Sequence, residues 1–236
     1  MAETYRCVVL ARFVDGLAGP DDFAIEIRPV PEPGDGEILV RIIYASLDPG
    51  GRSRLSGRVS YIPPLALGDV AGAFNIGQVV TSNNEAYATG DLVVCSFGWT
   101  EMGLSKGGGY FAKIQASDLP LSTWIGVLGV PGLTAYFGLK RVAGIKAGET
   151  LVITSAAGMV GATAAQIAKI MGCKVIGVAG GPKNAPGCAT NWGWTGPSIT
   201  RRRMIWVRPS GRRRRTGSTC CSTMWATALS ILCCLA

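Results

Sequence analysis

A chain of 236 residues, 48% of them hydrophobic and 33 of them glycine, has length for one large or two ordinary domains and is too apolar for a disordered one. Its net charge of +8 is local: residues 1–183 hold fifteen Lys plus Arg against fifteen Asp plus Glu, whereas 184–236 hold eight Arg and no acid. The balanced front excludes a domain built around a polyanion, and the start lacks the basic and apolar segments of a secretion signal, so a reducing cytosolic setting is expected.

From Tyr5 to about Ile114 short β-type runs alternate with Gly and Pro. Cys7 to Leu10, Phe23 to Ile27, Glu37 to Tyr44, Gly77 to Thr81, Leu92 to Ser96 and Tyr110 to Ile114 predict a compact, irregular β-domain over residues 1–122. The pattern changes at Pro131, where a proline suited to a first helical turn opens a stretch without breakers up to Gly144. Leu151 to Thr154 then reads as a buried strand, Val160 to Met171 as a helix, and Lys174 to Ala179 as a second buried strand. That order is a βαβ unit with a parallel pair, the start of a nucleotide-binding domain over 123–183. From Asn184 neither helical nor strand periodicity continues. The sheet is therefore expected to stop at two strands, with 184–236 a basic tail lacking stable packing. The tail's apolar end, Trp225 to Ala236, is too short to span a bilayer.

The turn between strand and helix carries the chemistry. Ser155-Ala156-Ala157-Gly158-Met159-Val160-Gly161 follows the G-x-G-x-x-G pattern, with Ala156 in the first glycine slot. Small residues let the backbone turn sharply toward a pyrophosphate, free amides at the helix start bind it, and Gly161 lets helix and strand pack closely. Ala156, Gly158, Met159, Val160 and Gly161 are the candidate cofactor residues; the alternative is a glycine-rich turn with no ligand. After the second strand the chain reads Ala179-Gly180-Gly181-Pro182-Lys183, with no carboxylate for a ribose hydroxyl. Gly180 and Lys183 thus point to NADP rather than NAD, unless Lys183 is only a solvated turn residue. No histidine is present and Cys95 lacks ligand-like neighbours, so no metal site is expected and the front cysteines read as small core residues.

Several separated segments resemble the zinc-free medium-chain reductases that include 2-alkenal, leukotriene B4 and prostaglandin reductases. They are Ser46-Leu47-Asp48-Pro49, Leu67-Gly68-Asp69-Val70, Gly90-Asp91-Leu92-Val93, Gly98-Trp99-Thr100-Glu101, Leu128 to Tyr136, and Ala156 to Gly161. The resemblance covers residues 1 to about 182. It implies an α/β chain with a GroES-like β-domain followed by an incomplete Rossmann-type parallel βαβ domain. It also implies a family homodimer and hydride transfer from NADPH to the β-carbon of an α,β-unsaturated aldehyde or ketone. Thr134 corresponds to a family position near the cofactor, although a helical threonine can simply bond its own turn. Where the family places Tyr and Met after Asp-Pro, this chain has Gly50 and Gly51. The family's catalytic tyrosine has no counterpart here, and no catalytic residue is assigned.

The genetic code offers a reading of the tail. Shifted by one base, the codons for Thr190 to Thr200 permit the family's Glu-Leu-Gly-Leu-Asp-x-Ala-Ile-Asp-Tyr. In the same frame those for Ser218 to Ala226 permit a strand of the type Asp-Val-Leu-Phe-Asp-Asn-Val-Gly. One lost base near the Pro182 codon would account for both, and the chain is expected to be a shifted, inactive product of a reductase gene. Quinone reduction on the same scaffold is the alternative chemistry. The runs Arg201-Arg202-Arg203 and Arg212 to Arg215 would suit nucleic acid or anionic lipid, but a shifted frame produces arginine runs without selection for binding. Neither a specific nucleic acid nor a membrane is expected as partner.

Overall fold

A computed structural model describes residues 3–59, 62–179, 199–200 and 231–234. The chain divides into two compact units, Met1–Ile125 and Gly126–Ala236.

The first unit is built from antiparallel strands. β1 (Thr4–Leu10) pairs along its length with β2 (Phe23–Pro29). Its other edge bonds to two loops, Val8 N–H donating to Trp99 O at 2.8 Å and Leu10 N–H to Asp69 O at 2.9 Å. A five-stranded sheet follows, formed by β3 (Ile38–Ala45), β4 (Asn75–Ser82), β5 (Leu92–Cys95), β6 (Met102–Ser105) and β7 (Ala112–Lys113) in the order β6-β3-β4-β5-β7. Ile38, Val40, Val79, Val93 and Cys95 form its buried face, covered by Tyr87, Phe97 and Phe111. Alternation is clearest in β5, whose Val93 and Cys95 are buried while Leu92 and Val94 are half-buried. β6 carries no sequence signal. Met102-Gly103-Leu104-Ser105 becomes a strand because it pairs with β3, and the Phe97 ring fills the space beside Gly103 that a Cβ would need.

In the second unit α1 (Val130–Phe137) starts with proline in its first turn and passes into a π-helical segment at Gly138–Ala143. Gly144, at φ 60°, ends it in the left-handed conformation that favours glycine. The unbroken helix expected up to Gly144 is therefore two pieces of different winding. β8 (Thr150–Thr154), α2 (Met159–Ile170) and β9 (Lys174–Ala179) form the βαβ unit, with β8 and β9 parallel and in register from Thr150↔Lys174 to Thr154↔Val178. Ala135, Leu139, Leu151, Ile153, Ala164, Ala165 and Ala168 make the core between helices and sheet.

The sheet does not stop at two strands. β10 (Ile199–Thr200) lies parallel to β9, and β11 (Ile231–Cys234) pairs antiparallel with β8, giving the order β10-β9-β8-β11. This corrects the expectation of an abandoned pair and of a tail wholly without packing: unpaired N–H and C=O groups on both edges of the β8–β9 pair recruit backbone from the tail. Because β11 runs against β8, the sheet on that side is not a continued parallel one.

Candidate functional site

In the second unit the turn from β8 into α2 is set by close backbone approach. Ser155 adopts φ 52°, the one left-handed non-glycine residue among the described ones, and its carbonyl accepts a bond from Gly158 N–H at 2.9 Å. Ala156 is fully buried and its N–H donates to Val178 O at 3.1 Å, so it fixes the turn to β9 and its amide is used up. A Cβ on Gly161 would stand 2.5 Å from Ser155 O and 2.8 Å from Ala156 Cα, which only glycine avoids. On Gly158 a Cβ would meet Ser155 O at 3.2 Å. A face of small residues, Ala162, Thr163, Ala164, Ala165 and Ala168, seats α2 on the strands, and Thr163 Oγ1 donates back to Met159 O at 2.8 Å.

The result is an uncapped helix start. No side chain caps the amides of the first turn of α2 and no acidic residue stands in it. The amides of Met159, Val160 and Gly161 therefore have no acceptor within the helix and meet the positive end of its dipole. Met159 is exposed, while the Val160 side chain packs partly into the core, so both contribute backbone rather than side chain to such a cradle. Thr134 is exposed on α1 with its hydroxyl donating to Val130 O at 2.7 Å, the bond of a helical threonine to its own turn. Gly180 and Lys183 lie outside the described residues.

In the first unit a polar junction holds the Ser46-Leu47-Asp48-Pro49 loop. Ser46 N–H donates to Phe74 O at 2.8 Å, and Ser46 Oγ accepts Phe74 N–H at 2.9 Å while donating to Asp48 Oδ2. Trp99 Nε1–H donates to Ser46 O at 3.1 Å. Behind it the fully buried Asn75 donates to Gly98 O at 2.9 Å and accepts Phe97 N–H at 2.7 Å and Gly98 N–H at 3.1 Å, leaving none of these groups unpaired. Tyr110 packs on Phe74 with ring centroids 4.7 Å apart; burial first, then the nearby Asp48 and Cys95, pushes its phenol above the usual range. Gly50 has open space where a Cβ would stand, and that of Gly51 would meet only Gly72 O at 3.8 Å. Sequence reasoning missed Asn75, Tyr110 and Ser155. No local pattern marks the first two, since their partners lie far along the chain.

Among the described residues no group of three or more His, Cys, Asp or Glu could hold a metal ion. Cys7, Cys95 and Cys173 are buried and free, and burial pushes the Cys95 thiol up to about 12, as suits small core residues. No described helix is long and apolar enough to cross a membrane.

Residues 6–113 match the family described as the N-terminal domain of oxidoreductase. The chain is 43% identical over 175 residues to the NADPH-dependent curcumin reductase of Escherichia coli, 73% of this chain and 50% of that protein. It is 38% identical over 174 residues to prostaglandin reductase 1 of Rattus norvegicus, 72% of this chain and 50% of that protein. With the NADP(+)-dependent 2-alkenal reductase of Nicotiana tabacum it shares 36% over 178 residues, 73% of this chain and 52% of that one. The crystal structure of CurA in complex with NADPH from Vibrio vulnificus superposes with a TM-score of 0.77 at 34% identity, covering 84% of this chain and 58% of that one. The chain thus spans about half the length of the curated relatives it matches. Over its matched length the chain is a homologue of the curcumin, prostaglandin and 2-alkenal reductases, carrying the N-terminal domain of that oxidoreductase family with a GroES-like fold, followed by an incomplete Rossmann-type second domain.

Proposed function

We propose that this chain derives from an NADPH-dependent reductase of the carbon–carbon double bond of α,β-unsaturated aldehydes and ketones, with residues 123–183 holding the dinucleotide and 1–122 the substrate. The uncapped start of α2, pressed against the β8 turn by Gly161, carries this reading: it offers backbone amides without a carboxylate beside them, the donor set a pyrophosphate needs. Relatives named as NADPH-dependent support the same cofactor. When bound, the nicotinamide supplies the hydride; the protein's part is alignment and exclusion of water. Ala156 and Gly158 fix the turn, Met159, Val160 and Gly161 present amides to the phosphates, and the sequence at Gly180, with no carboxylate after Ala179, leaves room for a 2'-phosphate, whereas Lys183 follows the shifted codon and drops out of the site. Thr134 is the candidate neighbour on α1. In the first unit the Ser46–Asp48 junction holds the loop that would face the enone, and Gly50 and Gly51 leave that wall bare.

The tail belongs to the same proposal. A frame shifted near Pro182 replaces the later strands, and β11, antiparallel on β8, stands where a further parallel strand would complete the crevice that dinucleotides cross. A version with the frame restored at the Pro182 codon is expected to bind NADPH more tightly than NADH in a fluorescence titration. Equal or tighter NADH binding would overturn the cofactor assignment.

A further inference from the structure

Two loops of the first unit are stitched into one surface. Val14 N–H donates to Leu55 O at 2.9 Å, an Arg52 Nη2–H donates to Gly16 O, and the Phe13 ring lies over Gly57, where a Cβ would stand 2.8 Å from it. Gly57 at φ +67° makes that approach possible. Beneath the stitch, Val14 and Leu55 pack with Leu10 and Leu65. Above it, Phe13, Leu17 and Val59 remain exposed, the last two at 85% and 92%. Apolar side chains exposed this fully contribute nothing to the fold they sit on.

Charge at the same place is uncompensated. Residues 49–68 contain Arg52, Arg54 and Arg58 and no acid. Arg54 is spent on structure, its Nε–H donating to Pro63 O at 3.1 Å. Arg52 and Arg58 are exposed and have no carboxylate within ion-pair distance among the described residues, unlike Arg6, Arg12 and Arg28, which pair with Glu101, Asp22 and Glu26. Gly16 O takes one of the five guanidinium donors of Arg52. Asp15 is the loop's one acid, and it forms no ion pair with either arginine.

We propose that residues 13–17 and 52–59 form a binding surface for a single-chain amphiphilic carboxylate, its head group on the Arg52 and Arg58 guanidiniums and its alkyl chain on Phe13, Leu17 and Val59. A planar fork of N–H donors matches a carboxylate in two parallel bonds, and a flexible chain covers scattered apolar side chains that stand exposed among the described residues. The surface is built wholly from residues of the first unit and the β8–α2 turn from residues of the second, so failure of NADPH binding would leave the proposal standing.

Isothermal titration of the 236-residue chain with decanoate, below its micelle-forming concentration, tests this. The arginines of 184–236 stay constant across all variants, so differences between variants report the surface alone. Saturable binding is expected, weakened about tenfold or more by the double substitution Arg52→Gln and Arg58→Gln, because charge-assisted bonds are lost. Decanol and acetate, which each keep one half of the ligand, are expected to bind at least about tenfold more weakly. Leu17→Ser, a change at an exposed position, should weaken decanoate and leave acetate unchanged. Unchanged decanoate affinity in the double variant, or equal binding of decanol, would overturn the proposal. So would binding of phosphatidylglycerol vesicles, lost in the double variant, without binding of free decanoate, which would assign the surface to a membrane.

Discussion

The two units lean on different means, although Gly77 and Gly98 of the first also stand close against backbone. In the first, polar side chains reach across the sequence to backbone groups: Asn75 to the 97–98 turn, Glu101 to Arg6, Asn84 to Gly36 O and Lys106 O. In the second, the decisive positions are those where a side chain is missing: Gly132 beneath Val127, Gly161 against Ser155, and the alanines that let α2 settle on β8 and β9. A fold knitted by side chains is broken by deleting them, and one built on close backbone approach is broken by adding them. The candidate nucleotide turn belongs to the second kind, because amides can surround a phosphate only where no side chain stands in the way.

The largest effect is expected from an addition. Gly161→Val drives methyl groups into Ser155 O and Ala156 Cα and should destabilise the second unit by about 3 kcal/mol, read as a lower urea midpoint. Tolerance of valine would mean that α2 and β8 are not in close contact. Asn75→Ala is the matching deletion. It strands the buried Phe97 and Gly98 amides and the Gly98 carbonyl, for about 2 to 3 kcal/mol in the first unit, and quenches or shifts the emission of Trp99 next to the junction. A loss confined to the second unit would contradict the division. Gly144→Ala comes next, at about 1 kcal/mol, since alanine at φ 60° is strained while space is open there.

The smallest effect is electrostatic. The Arg6 guanidinium bonds Glu101 Oε1 and, with the Arg6 backbone N–H donating to Oε2 at 2.7 Å, holds that carboxyl below its usual range. A lowered folded value gives stability that is complete above the ordinary glutamate range and is lost as pH falls through the folded value. Both side chains are largely exposed, so the contribution is small. Arg6→Gln should flatten this part of the acid limb when urea midpoints are followed from about pH 6 down to about pH 3, and leave the neutral-pH midpoint nearly unchanged. An acid limb identical in the variant would remove Glu101 from the account.

What the sequence could show differs between the units for the same reason. Leu151 to Thr154 and Lys174 to Ala179 were legible because strands of a parallel pair, buried on one face and half-buried on most of the other, read as nearly continuous apolar runs. The glycine turn was legible because the spacing of its small residues sets how closely α2 approaches β8. Gly103 in β6 was not, because the strand exists only through pairing with β3. Asn75 looked like any loop residue, its partners lying more than twenty positions away. Ser155 could not be read as left-handed, since serine carries no such preference. The strands β10 and β11 arise from unpaired sheet edges, not from periodicity of their own.

Turnover by the 236-residue protein decides whether the proposed phosphate cradle can serve a reaction in a domain whose crevice is incomplete. Incubated with NADPH and a trans-2-alkenal, the purified chain is expected to oxidise NADPH no faster than the enzyme-free control, because one βαβ half cannot hold the nicotinamide against a substrate. Steady, protein-dependent oxidation would contradict this and show that the sheet with β10 and antiparallel β11 already completes the site.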